Sequence, residues 1–198
     1  MSDYDVLIIG GGAAGLMASL SAVRSGARVV ILEKKRVPGL KLGITGKGRC
    51  NLTNIAPVEE FMEHFGKNGR FLRQAFNEFF SEELVELFSE IGIKTKTERG
   101  GRVFPENENA VALRNVLVSH VKKLGVEIRT STGVKEIIYE NDKATGVITI
   151  KGQSFHASKV IIAAGGMSYP GTGSTGDGYS LAESAGHRII PIRPALIP

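Results

Sequence analysis

Between Gly10 and Glu33 the chain spaces its residues for one kind of chemistry, the holding of an adenine dinucleotide. Gly10-Gly11-Gly12-Ala13-Ala14-Gly15 fits G-x-G-x-x-G. In that pattern Gly10 makes the tight turn, Gly12 lets backbone approach a pyrophosphate, and Gly15 lets a helix pack on a strand. Ala13 and Ala14 open the helix, whose free N–H groups and positive dipole end suit phosphate. Glu33 falls where an acid accepts hydrogen bonds from ribose hydroxyls.

A second set follows at once. Pro38 to Asn54 is a loop with glycines at 39, 43, 46 and 48, and Gly43, Gly46 and Gly48 permit positive φ and close approach to a flat or phosphorylated ligand. Thr45, Asn51 and Thr53 add neutral hydrogen-bonding groups. Arg49 could stabilise a Cys50 thiolate. A redox disulfide needs a second cysteine, however, and Cys50 is alone, so it reads as a packed loop residue rather than a nucleophile. The four histidines, at 64, 120, 156 and 187, stand singly, and no metal is expected. His120 falls on the apolar side of a helical pattern and reads as a packing residue.

The elements that must position these residues can be read in order. Asp5–Ile9 is an apolar, β-branched run suited to a buried parallel strand. A small-residue helix runs from Leu16 to Ser25 with Gly26 as its C-cap, and Arg28–Leu32 is the second strand. Pro57–Gly92 shows helical spacing and holds seven of the nine phenylalanines, which suggests a helical insert with its own small core. Gly100–Pro105 is a turn into an extended piece, and Asn107–Leu124 is a helix. Val126–Thr130 reads as a third parallel strand. Val134–Tyr139, Ala144–Ile150 and Ser154–His156 read as a three-stranded antiparallel meander, and Val160–Gly166 as a separate buried strand ending in glycines. This order suits an α/β, Rossmann-like FAD domain of the glutathione-reductase type better than a nicotinamide dehydrogenase domain, which more often alternates strands and helices at short intervals.

The bulk properties agree. With 198 residues, 42% hydrophobic and 23% charged, the chain is long enough for one sizeable domain. No run approaches the ~18 apolar residues of a membrane span. The first strand begins almost at Met1, so no signal peptide is expected and the cytoplasm is the expected compartment. The net charge of +5 gathers partly in Lys34-Lys35-Arg36, Lys41, Lys47 and Arg49. A pyrophosphate ligand and ordinary solvation account for it more simply than a nucleic-acid surface.

Several of these motifs together resemble one family. Gly46-Lys47-Gly48-Arg49-Cys50-Asn51-Leu52-Thr53-Asn54 is similar to its S-G-G-G-R-C-N-x-T-N loop, with Thr45 in place of Ser and Lys47 in place of Gly. Gly171-Thr172-Gly173-Ser174-Thr175-Gly176-Asp177-Gly178-Tyr179 is similar to its T-G-S-T-G-D-G-Y segment. With the N-terminal motif and Ala163-Ala164-Gly165-Gly166, the resemblance is to the BaiN/RdsA-like NAD(P)/FAD-dependent oxidoreductases, which include aminoacetone-oxidase-like flavoproteins.

The resemblance implies FAD as cofactor, with NAD(P)H as a possible reductant. It puts Gly10, Gly12, Ala13, Ala14 and Gly15 on the pyrophosphate, Glu33 on the ribose, and Lys34 beside it. Lys41 and the run Thr45, Gly46, Gly48, Arg49, Cys50 and Asn51 would follow the ribityl chain and flavin. Val134 would meet adenine through its backbone. Ala164 and Gly165 would pass the dinucleotide, with Thr175, Gly176 and Asp177 nearer the flavin. Asp177 also suits the N-cap of a following helix.

The expected activity is hydride transfer between flavin and a small organic substrate. The alternatives are a flavin-dependent RNA uridine reductase, for which no aromatic-and-basic face is evident, and a non-catalytic dinucleotide-binding redox module. The expected organisation is an FAD domain over 1–190 with an insert at about 57–92, and 191–198 leading towards a substrate domain that lies beyond the chain together with the catalytic acid–base residues. Leu196 and Ile197 would then need partners further on.

Overall fold

A computed structural model describes residues 3–193. Among them run the strands β1 Tyr4–Ile9, β2 Val29–Leu32, β3 Thr53–Asn54, β4 Thr95–Glu98, β5 Arg102–Pro105, β6 Glu127–Arg129, β7 Val134–Glu140, β8 Lys143–Thr149 and β9 Ser154–Ile162. The helices are α1 Ala13–Arg24, α2 Val58–Glu63, α3 Arg73–Glu78, α4 Ser81–Glu90, α5 Ala110–Lys123 and α6 Asp177–Ser184. They divide into two compact units, one formed by the residues up to Lys41 and from Val121 onward, the other by Leu42–His120. Leu196 and Ile197 lie outside the described residues.

The first unit is built on a six-stranded sheet in the order β6-β2-β1-β9-β8-β7. β1 pairs in parallel with β2 and with β9, and β2 with β6, so the first βαβ crossover and the third parallel strand form as the sequence implies. Their side chains are apolar on both faces because both faces are covered. Leu7, Ile8, Val30 and Ile31 are fully buried. β7, β8 and β9 follow in antiparallel succession. One expectation is corrected here: the third meander strand and the buried strand after it are a single element. Ala157-Ser158-Lys159 offers no Gly, Pro, Asn or Asp to turn the chain, and β9 runs unbroken for nine residues, antiparallel to β8 by its first part and parallel to β1 by its second.

The helix after the glycine turn starts at Ala13 rather than Leu16, with Ser25 as C-cap and Gly26 beyond it at φ 83°. Small residues make this possible, since they let the first turn lie against the sheet.

In the second unit the helical stretch is fragmentary. α2 ends at Glu63, and the backbone turns left-handed at Gly66, φ 57°. A 3-10 segment, Gly66–Leu72, precedes α3, and Phe79 is extended before α4. Phe61, Phe76 and Phe80 do pack together, with centroids 5.1–5.5 Å apart. The break removes Phe71 from that cluster and leaves it 88% exposed, against the single apolar face expected of a continuous helix. A small sheet in the order β3-β5-β4, not anticipated from the sequence, completes the unit. Its strands have two to four residues, and β3 and β4 are polar, so they show little alternation to read.

Candidate functional site

The glycine turn at the carboxyl end of β1 assigns each of its glycines a different task. A Cβ at Gly10 would meet the Ala163 carbonyl oxygen at 2.5 Å, and its φ is 105°. A Cβ at Gly15 would sit 1.9 Å from the Gly10 carbonyl oxygen. Both are glycine because the fold leaves no room. At Gly12 φ is −77°, and a Cβ would meet nothing within 4 Å. A Cβ fits there without a clash, so the open space at Gly12 is where a ligand can touch backbone. Gly12 is also the N-cap of α1, which has no side-chain cap and no acid in its first turn. The first-turn N–H groups, including those of Ala13 and Ala14, are thus free of capping side chains, a setting that favours an anion.

Glu33 closes the other side of this turn. It is 8% exposed, and its Oε2 accepts the Gly11 N–H at 2.7 Å while Oε1 accepts the Lys35 N–H at 2.7 Å. Each oxygen keeps a second lone pair for a ribose hydroxyl. The segment after β6 comes back beside it: Thr132 N–H donates to the Glu33 carbonyl at 2.9 Å, which leads directly into Val134 at the start of β7. Ala164 also lies by the turn, its Cα 3.0 Å from where a Gly10 Cβ would be.

Four further expected residues, Lys34, Lys41, Thr175 and Asp177, are tied to protein groups. Lys34 Nζ donates to Asp177 Oδ2 at 2.7 Å and to Thr175 Oγ1 at 2.5 Å, and Thr175 bonds Asp177 Oδ1 at 2.5 Å. This clasp joins the end of β2 to the first turn of α6, where Gly176 is the left-handed N-cap at φ 88°. Asp177 is the first helical residue, not the cap. Burial pushes its carboxyl up, but the Lys34 ammonium and the Thr175 hydroxyl outweigh this and hold it below the usual carboxylate range. Lys41 Nζ donates to the Ser168 carbonyl at 2.7 Å, in the loop between Gly165 and α6.

In the second unit, residues Leu42–Gly48 form 3-10 turns broken at Thr45, Gly46 and Lys47. Gly46 (φ 57°) and Gly48 (φ 86°) take up the left-handed backbone expected of them and Gly43 does not, whereas Lys47 (φ 57°) and Cys50 (φ 60°) do so without glycine's freedom. Cys50 is 1% exposed, its N–H bonded to the Thr45 carbonyl at 3.0 Å. Burial pushes the thiol above its usual range, with Thr45 opposing only in part. A buried, protonated thiol supports the packing role over the nucleophilic one. Asn51 is exposed.

Arg49 does not face Cys50 as a counter-ion. Its guanidinium lies over the Phe104 ring, 4.2 Å from the centroid, and pairs with Glu98 and with Glu108, the latter at 2.9 Å. Lys96 joins the same carboxylates. The Lys96 and Arg49 hydrogen bonds hold Glu108 below the usual carboxylate range.

Residues 4–193 match the family described as HI0933-like protein Rossmann domain. The chain belongs to that family. It is the one that the R-C-N loop and the T-G-S-T-G-D-G-Y segment resemble. Among curated relatives, a "3-dehydro-bile acid delta(4,6)-reductase" of Clostridium scindens is 40% identical over 96% of this chain and 46% of its own length. A "Ribosomal RNA dihydrouridine synthase" of Escherichia coli is 31% identical over 100% of this chain and 48% of its own. The chain thus spans about half the length of these relatives.

The fold matches that of an open-conformation flavocytochrome c3 fumarate reductase with a TM-score of 0.69 at 22% identity, covering 92% of this chain and 40% of that one. A 3-ketosteroid-delta4-(5alpha)-dehydrogenase of Rhodococcus jostii RHA1 gives 0.61 at 18%, covering 85% and 47%. The architecture is the Rossmann-like fold of FAD enzymes.

Sequence reasoning missed residues that complete each half of this family's motifs. Gly39 N–H donates to the Gly11 carbonyl at 2.8 Å, so the Pro38-Gly39 turn braces the glycine turn. The Pro-Gly pair was a readable signal for such a turn. Glu98, Phe104 and Glu108 had no such signal, because their link to Arg49 is made only by β4, β5 and the turn after them. Among the described residues no helix is long and apolar enough to cross a membrane, and no group of three or more His, Cys, Asp or Glu is placed to hold a metal.

Proposed function

We propose that this chain binds FAD and serves a cytoplasmic oxidoreductase that transfers hydride between flavin and a small organic substrate, with NAD(P)H as the partner reductant. The observation that carries the reading is the contrast within one turn: Gly10 and Gly15 are fixed by the fold, whereas a Cβ at Gly12 would meet nothing within 4 Å. A glycine that packing does not require points to a ligand approaching its backbone.

In this reading the N–H groups at Gly12, Ala13 and Ala14 hold the pyrophosphate, Glu33 accepts from the ribose, and the Val134 backbone meets adenine. Ala164 and Gly165 line the dinucleotide. Lys41 and the stretch from Thr45 to Asn51 are assigned to the ribityl and flavin portion, and Gly176 and Asp177 to the flavin end, where Lys34 orients Asp177. When bound, flavin supplies the two-electron redox chemistry, and the chain supplies orientation and electrostatics.

Titration with FAD, followed by quenching of flavin fluorescence and by melting temperature, tests this. Tighter binding of NAD than of FAD would refute it.

A second reading, reduction of a base in RNA, draws on one feature of the insert. From His64 to Asn77 there is no acid, while Lys67, Arg70 and Arg73 flank the exposed Phe71. Exposed aromatics among cations suit stacking on unpaired bases. Salt-dependent binding of single-stranded RNA, lost in Phe71→Ala, would favour it over a small-molecule substrate.

A further inference from the structure

Within the second unit, three residues other than glycine hold left-handed backbone in segments far apart in sequence: Lys47 at φ 57°, Cys50 at φ 60° and Glu108 at φ 51°. Such conformations persist only where the surroundings over-determine them. Here Arg49 and Glu108 connect the segments. Arg49 donates from Nη2 to Glu108 Oε1 at 3.2 Å, while its Nε lies 2.9 Å from Glu108 Oε2 as an ion pair without a hydrogen bond. The same Nη2 bonds Glu98, and Lys96 bonds Glu108 from the other side. The Arg49 N–H donates to the Gly46 carbonyl at 3.2 Å, so the side chain's position is coupled to the loop backbone. The Glu108 N–H donates to the Pro105 carbonyl at 3.0 Å, which anchors the carboxylate to the end of β5.

Stability is a poor reason for this arrangement. The four charged side chains are between 25% and 41% exposed, and pairs that open to water contribute little. A non-glycine residue at the Glu108 position also costs backbone strain. What the network does fix is the shape of Leu42–Cys50, because it holds the one long side chain between the two strained residues of that loop.

We propose that Glu108 is a positioning residue that, through Arg49, holds the 42–50 loop in the shape that receives the cofactor. This rests on the FAD reading given above.

Two variants separate the role from mere structural support. Glu108→Gln removes the charge at constant length. Glu108→Gly removes the carboxylate and also relieves the left-handed strain. Each should raise the FAD Kd about tenfold, the loss of a charge-assisted contact. Amides of residues 43–50 should exchange faster in the free protein of both variants. The melting temperature of the free protein should hold within about 2 °C in Glu108→Gln, and hold or rise in Glu108→Gly. Affinity falling while stability holds or rises is an outcome that simple loss of folding cannot produce.

FAD binding within twofold of wild type in both variants would overturn the proposal and leave the cofactor reading standing. Affinity falling only in step with melting temperature would also overturn it. A wild-type protein that takes up no FAD would defeat the cofactor reading first, and the positioning role with it.

Discussion

The turn at Gly10–Gly15 and the loop at Leu42–Cys50 are both glycine-rich, and they hold their shapes by opposite means. In the turn, backbone presses on backbone: the positions of Ala163 and of the Gly10 carbonyl leave space for glycine alone at two sites. In the loop, backbone crowds only Gly46, whose Cβ would meet the Asn51 nitrogen at 2.9 Å. Gly48 meets nothing within 4 Å, and two residues with full side chains adopt left-handed backbone beside it. Its shape is held by charge, through Arg49, Glu98 and Glu108, over the face of Phe104. The difference teaches where robustness lies. A shape set by close packing fails all at once when it is violated, whereas a shape set by exposed ion pairs loosens by degrees and responds to salt and acid.

The largest effect should come from violating the packing. Gly15→Val drives a side chain into the Gly10 carbonyl and should cost about 3 kcal/mol or more, read as loss of the cooperative unfolding transition. Phe104→Ala tests the floor of the loop. Phe104 is 4% exposed, and its removal should cost about 3 kcal/mol in denaturant unfolding; a cost under about 1 kcal/mol would show that the ring is a platform for Arg49 and little else. Gly12→Val lies between the two classes. It should leave the melting temperature unchanged while weakening FAD about a hundredfold or more, through loss of charge-assisted bonds to phosphate. Normal FAD binding by that variant would remove the distinction drawn between Gly12 and its neighbours.

Acid should act on the clasp between Lys34 and Asp177. The folded carboxyl titrates below its usual range, so its contribution is complete above about pH 4 and is lost as the pH falls through the lower folded value. Asp177→Asn should therefore flatten the acid limb of melting temperature against pH and change little at pH 7. The smallest effect belongs to Cys50→Ser. A solitary, buried thiol takes no electrons from flavin, so the reduction rate with FAD bound should stay within about tenfold of wild type.

The sequence by itself determined the first βαβ unit and the packing requirement at Gly10 and Gly15 in its turn, because the residues that encode these stand close together in the chain. Apolar β-branched runs, small helix residues and a spaced acid encode that unit locally. The motifs were also sufficient to name the family. Tertiary structure decided what distant partners control. The fusion of two expected strands into β9 depended on which neighbours it pairs with, since β8 and β1 hydrogen-bond its two halves from opposite sides. The breaking of the helical stretch set Phe71 outside the aromatic cluster, because apolar spacing cannot register where backbone turns left-handed at Gly66. The fate of Arg49 was the least legible. Its partners lie some fifty to sixty residues away, on two four-residue strands and the turn after them, and only folding brings Glu98, Phe104 and Glu108 around one guanidinium.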